Sequence, residues 1–420
     1  MSIIKNYDEL NITDQRKIVL DLIEKALISV DTKNILDKSI KYEDNILYVN
    51  KDAYDMSLFK RIVVLGIGKG SSAIVSDLRK KMKNLKVKAF SIDVVASDDK
   101  RIDSVVGTHP LTSDINSNFT KNVIDILDDL DEEDLVISVI CGGGSALFEY
   151  SEIPIDEKID IDRKILQSGA GIYDMNTLRK HLSLVKGGNL AKIINPAKVI
   201  SLIFSDVLGN DLSFIASGPL VYDSTTIKDA IKISKKFHID VPLEYIKETP
   251  KEENIFNNIN NYLLLTNDVP LQAMLEMAKE LGIKSRIISE EVSGIARDIG
   301  CRLIEECRKG EILLAGGESS VVVRGQGRGG RNQELVAGAF GCIEENTIIV
   351  SFGTDGWDNY GFAGAIADKI TVDNSKKKFL DVNVFLDDNN TYPFFKKLKS
   401  GIDTGKLSSN VSDLMIVYKF

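Results

Sequence analysis

Glycine runs, single cations and turn aspartates recur together along this chain, and that combination suits the chemistry of a small oxyanion. In "GIGKG", Gly68 and Lys69 follow an apolar run, and a tight turn there would aim free amides and one mobile ammonium at an anion. "CGGGSALF" repeats the device with Gly142, Gly143, Gly144 and Ser145, whose amides and hydroxyl suit a phosphate or carboxylate. "NTLRKHLSLVKGG" places Arg179, Ser183 and Lys186 at spacings of four and three, so that on a helix they share one face. "GGESSVVVRGQGRGGRNQE" holds six glycines and three arginines, with Glu318, Arg328, Arg331 and Asn332 among them. Arginine there offers a planar fork that matches phosphate or carboxylate. "FSDVLGND" and "FGTDGWDN" supply Asp206, Asp211, Asp355 and Asp358. Carboxylates in such loops can hold magnesium or take a proton from a hydroxyl.

Each signal has a plainer reading beside it. "VVLGIGKG" is not a Walker loop, because Val63 and Gly70 stand where glycine and serine or threonine are needed. The dinucleotide fingerprint nearly fits, but Ser71 replaces its third glycine; Asp93 would be its ribose acid. That near-fit motivates a rival activity, an NAD-dependent hydroxypyruvate or tartronate-type reductase. Ser145 lacks the last glycine of a nucleophile elbow. His181 reads as a structural hydrogen bonder, a single aspartate beside glycine as a turn, and Arg179 with Lys186 as a solvated basic face. A non-catalytic sugar-phosphate sensor is the third class, and no reading appendage for it stands in the chain.

The elements that must position these loops follow one rhythm: an apolar run of five or six residues, a glycine or aspartate turn, then a helical segment. "RIVVLGIGKGSSAIVSDLRKKM", "DLVISVICGGGSALFEY", "KVISLIFSDVLGND", "EILLAGGESS" and "TIIVSFGTDGWDN" all show it. Such runs predict parallel strands buried on both faces, with the ligand loops at their carboxyl ends. Val19, Leu22, Ile23, Ala26, Leu27 and Val30 predict an amphipathic helix near residues 14–30. The long stretch "GGESSVVVRGQGRGGRNQE" predicts a strand through "SSVVVRG" and a helix from near Asn332. "NTLRKHLSLVKGG" predicts a helix capped by Asn176 or Thr177 and stopped by Gly187.

The proline- and charge-rich segment at 240–256 divides the 420 residues into an expected domain at 1–245 and a smaller one at 246–420. A net charge of −9 argues against nucleic acid and anionic membrane as partners. Cys141, Cys301, Cys307 and Cys342 show no CxxC or metal spacing, which predicts reduced thiols in a cytoplasmic protein. No run of 18 apolar residues and no signal-like N-terminus is present. A homo-oligomer is compatible with all of this.

Taken in order, "GIGKG", "NTLRKHLSLVKGGNLA", "SDVLGNDLSFIASGP", "GRGGRNQEL" and "GTDG…AGAIAD" resemble the glycerate 2-kinase (class II glycerate kinase) family over almost the whole chain. The resemblance implies a Rossmann-like parallel-sheet domain, a smaller α/β MOFRL domain, and an active site in the cleft between them. It implies transfer of the γ-phosphoryl of ATP to the 2-hydroxyl of D-glycerate with a divalent cation such as Mg2+; phosphorylation of the 3-hydroxyl is the alternative. Lys69 and Arg331 match the family's catalytic lysine and arginine. Asp206 or Asp355 would then bind magnesium or accept the hydroxyl proton. Arg179 or Lys186 would hold substrate. Gly68, Gly142 to Ser145, Glu318, Arg328 and Asn332 would line the substrate and phosphate sites. The chain departs from the usual family pattern at Leu208, Asn210, Leu212 and Trp357, and "THPLTSDINS" is a looser version of the family's histidine-proline segment.

Overall fold

The computed structural model describes residues 2–205, 208–407 and 411–420. The chain forms two compact units, residues 35–264, and residues 1–34 together with 265–420. In the first, β1 (Ile40–Glu43), β2 (Ile46–Val49) and β3 (Asp52–Asp55) make a small antiparallel sheet. The main sheet holds β4 (Arg61–Ile67), β5 (Val87–Asp93), β6 (Ile102–Val106), β7 (Asp134–Ile140), β8 (Lys198–Phe204) and β9 (Ile259–Leu265). Their order is β6-β5-β4-β7-β8-β9, with parallel pairing from β6 through β8. The β-branched runs behave as expected of strands covered on both faces, and every residue of β7 is buried. Val63, Leu65 and Ile67 pack with Phe119, Val123 and Leu127 of the helix Asp114–Leu127. This order puts the turns after β4, β5, β6 and β7 side by side on one edge.

The second unit is built on β10 (Lys284–Val292), β11 (Glu311–Gly317), β12 (Thr347–Gly353), β13 (Gly364–Asp368), β14 (Gly401–Ile402) and β15 (Asp413–Lys419). Their order is β10-β11-β15-β12-β13-β14. Here the expectation of parallel strands holds only for β10 with β11; the last strand, β15, runs antiparallel between β11 and β12. Burial on both faces comes from the helix layers and does not depend on strand direction. Ile312, Leu314, Val350 and Ile416 pack with the helices Asp14–Ser29 and Asp268–Glu280, while Leu313, Ile349, Met415 and Val417 pack with Ala296–Glu306 and Arg331–Gly338. The expected amphipathic helix near 14–30 is thus Asp14–Ser29, in the layer with this second sheet.

Three local expectations are corrected. "SSVVVRG" is not a strand: it has a single bridge, Ser320 to Ile295, and Val322 and Val323 are exposed. A β-branched run without a ladder partner stays irregular, and this one is held by Asn389, which accepts from the amides of Arg324 and Gly325. The helix expected at Asn176 begins earlier and ends at His181 (Ile172–His181), so Arg179, Ser183 and Lys186 do not share a helical face. Cys301 and Cys342 are joined as a disulfide with Cα atoms 5.6 Å apart, whereas Cys141 and Cys307 are free and buried. The packing of Ala296–Glu306 against the segment that follows Arg331 brings together two cysteines 41 residues apart, a proximity that spacing does not encode. Among the described residues no helix is long and apolar enough to cross a membrane.

Candidate active site

In the first unit four loops are laced together at the carboxyl ends of the strands. After β4, Gly68 takes φ +104°, and a Cβ there would lie 2.4 Å from Cys141 O, so only glycine admits this approach. The Lys69 amide donates to Gly142 O at 2.9 Å, which fixes the two glycine loops against each other. Gly143, at φ +77°, begins the short turn Gly144–Leu147. A Cβ on it would lie 3.1 Å from both Lys69 Cε and His109 Cδ2, so these two side chains flank the glycine. Lys69 is exposed and Arg179 half-buried, and neither has a carboxylate partner among the described residues. His109 keeps an accessible edge, yet the surrounding loops strip enough water to push its pKa down to about 4, helped by the positive charges of Lys69 and Arg179. The imidazole is therefore neutral near pH 7. Ser217 donates to Asn176 Oδ1 at 2.7 Å, so Ser145, 2.8 Å from Ser217 Oγ, donates to it. Among the described residues Ser145 has no hydrogen bond to a base, so its contacts are those of a positioned hydrogen-bonding group.

Two other expectations change. Lys186 is buried, with its ammonium on Glu149 and 3.5 Å from Ser183 Oγ; burial pushes its pKa down. Glu149 also faces Lys158, itself held 2.7 Å from Asp162, so Lys186 belongs to a closed internal charge network. Asp93 is no free ribose acid: it is buried, and its oxygens accept from the amides of Gly70 and Ser72 at 3.1 Å each. The helix Ser71–Lys81 therefore has its N-terminus closed by the chain's own carboxylate where a dinucleotide would present its pyrophosphate.

In the second unit Arg331 opens the helix Arg331–Gly338. Its Nε and Nη2 donate to Asp413 at 2.6 and 3.2 Å, and Nη1 donates to Glu318. Burial opposes the charge of Arg331, but Asp413 and Glu318 hold its pKa above the usual range. Asp413 is itself buried and pushed up to about 7, against the pull of Arg331. Asn332 is buried and, with Gln333, gives backbone and side-chain hydrogen bonds to Asp358. Asp355 lies beside this cluster: a Cβ on Gly353 would be 3.0 Å from Asp355 Oδ1 and 3.5 Å from Asp413 Oδ1. Arg328 turns away to Tyr360, donating to its hydroxyl at 2.9 Å and lying over its ring. The loop glycines serve packing. A Cβ would lie 2.3 Å from Asp388 on Gly325, 2.1 Å from Thr391 Oγ1 on Gly329, and 2.0 Å from Asp358 O on Gly330.

So the structure gathers Gly68, Lys69, Gly142 to Ser145 and Arg179 in one unit, and Glu318, Arg331, Asn332 and Asp355 in the other. It withdraws Lys186 and turns Arg328 outward. Asp206 lies outside the described residues. Sequence reasoning gave His109 no role, although it noted the histidine-proline segment, and it missed Asp413. The signals were a histidine beside proline after β6, and an aspartate heading the C-terminal apolar run "DLMIVYKF".

The DUF4147 family, a domain of unknown function, matches residues 18–248, and the MOFRL family matches 311–413. The glycerate 2-kinase of Picrophilus torridus is 36% identical, over 98% of this chain and 98% of the relative. The D-glycerate 2-kinase of Thermotoga maritima is 33% identical, over 96% of this chain and 97% of its own length. A crystal structure of Thermotoga maritima glycerate kinase superimposes with a TM-score of 0.84 at 30% identity, covering 96% of this chain and 99% of that one. Likeness that runs from end to end in both sequence and fold means that the chain belongs to the glycerate 2-kinase family and is a phosphotransferase with a nucleotide substrate.

Proposed function

We propose that this enzyme transfers the γ-phosphoryl of ATP to the 2-hydroxyl of D-glycerate, giving 2-phosphoglycerate and ADP. The observation that carries the assignment is the pair Lys69 and Arg179 about the Gly142–Ser145 loop: two cations without a carboxylate partner among the described residues, next to a neutral His109. Phosphoryl transfer asks the protein mainly for positioning and charge neutralisation. Lys69 neutralises the moving phosphoryl group. Arg179 holds the glycerate carboxylate, Ser145 and the loop amides orient it, and His109 offers an uncharged hydrogen bond. Arg331 is aimed by Asp413, and its contact with the more exposed Glu318 is the one that a phosphate oxygen would replace. Asp206 or Asp355 would hold the divalent cation, whose chemistry would be to neutralise phosphate charge; magnesium needs only one or two carboxylates beside phosphate oxygens and water. The hydroxyl proton passes to Asp206 or Asp355.

The decisive experiment incubates the protein with ATP, magnesium and D-glycerate and identifies the product by phosphorus NMR. 2-Phosphoglycerate with no oxidation of added NADH is expected. The 3-phosphate would overturn the choice of hydroxyl, and NADH oxidation on hydroxypyruvate without phosphorylation would establish the reductase instead.

A further inference from the structure

A cavity of about 800 Å³ opens at the amino-terminal ends of β4 and β5, at the far end of both strands from Lys69 and Asp93. Its size is that of a small-molecule site. Val63, Ile126 and Leu130 give it an apolar floor on the face of Lys88, while Ile62 and Val87, which alternate to the other face, border it at the end of the sheet. Four cations line it, and they divide into two kinds. Lys60 is paired with Glu133, and Arg61 with Asp129 and Asp134. Lys86 and Lys88 have no carboxylate partner among the described residues. Two residues apart at the start of a strand, they project to the same side. Asp125, on the opposite wall in the helix Asp114–Leu127, is likewise unpaired among the described residues. Beyond Ile126 lies a smaller cavity of about 280 Å³ that includes Phe90, and Lys88 stands over the Phe90 ring at 5.3 Å.

We propose that this cavity is a second ligand site, separate from the phosphotransfer loops, for an amphipathic organic anion. An aryl or acyl body lies on the apolar floor, a single anionic head sits between Lys86 and Lys88, and an N–H or O–H of the ligand donates to Asp125. An inorganic ion would gain little, because exposed ion pairs contribute weakly in water. An uncharged apolar ligand would leave both ammonium groups without a use. The two features together select a molecule that has both parts.

The test titrates the full chain with anilinonaphthalene sulfonate, which carries an aromatic body, a sulfonate and an N–H, and follows its fluorescence. Saturable binding at one site is expected. Lys86→Glu combined with Lys88→Glu should weaken it at least about tenfold, the loss of two charge-assisted contacts. Ile126→Trp, which fills the floor and keeps both lysines, should weaken it as well, while Lys69→Ala should leave it unchanged. Wild-type titration by either lining variant, or loss of binding in Lys69→Ala, overturns the proposal; circular dichroism confirms that each variant is folded.

Discussion

Asp93 and Asp358 do the same work in different units. Asp93 accepts from the amides of Gly70 and Ser72 at 3.1 Å each, and Asp358 accepts from those of Asn332 and Gln333 at 3.0 and 2.8 Å. Each carboxylate closes the N-terminus of a helix that follows a glycine loop. At these two helices, positive charge for an oxyanion comes from side chains and not from the helix ends. Asp93→Asn keeps one acceptor but loses the charge that complements the helix dipole. It should cost about 1–2 kcal/mol of unfolding free energy in urea titration. It should not create affinity for NAD; tight NAD binding by wild type would contradict the closed helix end.

Lys69, Arg179 and Lys186 look alike in sequence and should separate sharply in kinetics. Lys69→Ala and Arg179→Ala each remove a cation that has no carboxylate partner among the described residues, and turnover should fall on the order of 10²-fold or more with the melting temperature unchanged. Lys186→Met leaves Glu149 short of one of its two buried partners. Breaking a buried pair costs about 3–5 kcal/mol, so this variant should melt at lower temperature and, where still folded, keep more activity than the other two. Equal kinetic loss in all three would place Lys186 in the substrate site.

Much of this was legible in the sequence because parallel-strand runs and glycine turns are local signals. "RIVVLGIGKG" and "DLVISVICGGGS" state their strand, turn and loop within ten or twelve residues, and the two loops meet as the topology of such sheets requires. Lys186 was misplaced because its helix stops at His181, and the tertiary pairing with Glu149 outweighs helical spacing. Asp413 was invisible for a different reason. Its importance comes from β15 sliding between β11 and β12, a long-range antiparallel pairing that no local pattern announces. His109 lies in an irregular loop; the histidine-proline pair was visible, but only the approach of Lys69 across Gly143 ties it to the site.

Gly330 tests whether the glycines near Arg331 serve a ligand or the fold. Its backbone is extended, so alanine is not conformationally forbidden, but a Cβ would lie 2.0 Å from Asp358 O. Overpacking against backbone costs about 1–3 kcal/mol. Gly330→Ala should lower the unfolding free energy by that amount with or without ATP present. A variant that is fully stable yet no longer binds nucleotide would return the loop to an anion-binding role.

Arg331 meets Asp413 through two nitrogens, an arrangement that an ammonium cannot copy. Arg331→Lys should lose on the order of 10³-fold in kcat with a smaller change in KM for ATP, the signature of a group that acts on the transition state. Near-wild-type kcat would confine the arginine to a structural ion pair.

His109 gives a pH-dependent readout of the site without catalysis. Loop desolvation, then Lys69 and Arg179, push its pKa down to about 4 from an ordinary 6.5. Between these values the unfolded chain binds a proton at this position that the folded chain does not, so stability from this group is present above the unfolded value and is lost as pH falls toward 4. The chain has only three histidines, which makes the imidazole proton resonances assignable by NMR. In wild type the His109 resonance should titrate near the depressed value, and Lys69→Ala should move the midpoint upward by removing one of the two positive charges that disfavour the imidazolium. An anion bound between Lys69 and Arg179 should do the same, so D-glycerate should raise the midpoint while uncharged glycerol should not. A midpoint near 6.5 in the free protein, unmoved by glycerate, would separate His109 from the two cations and remove the observation on which the substrate assignment stands.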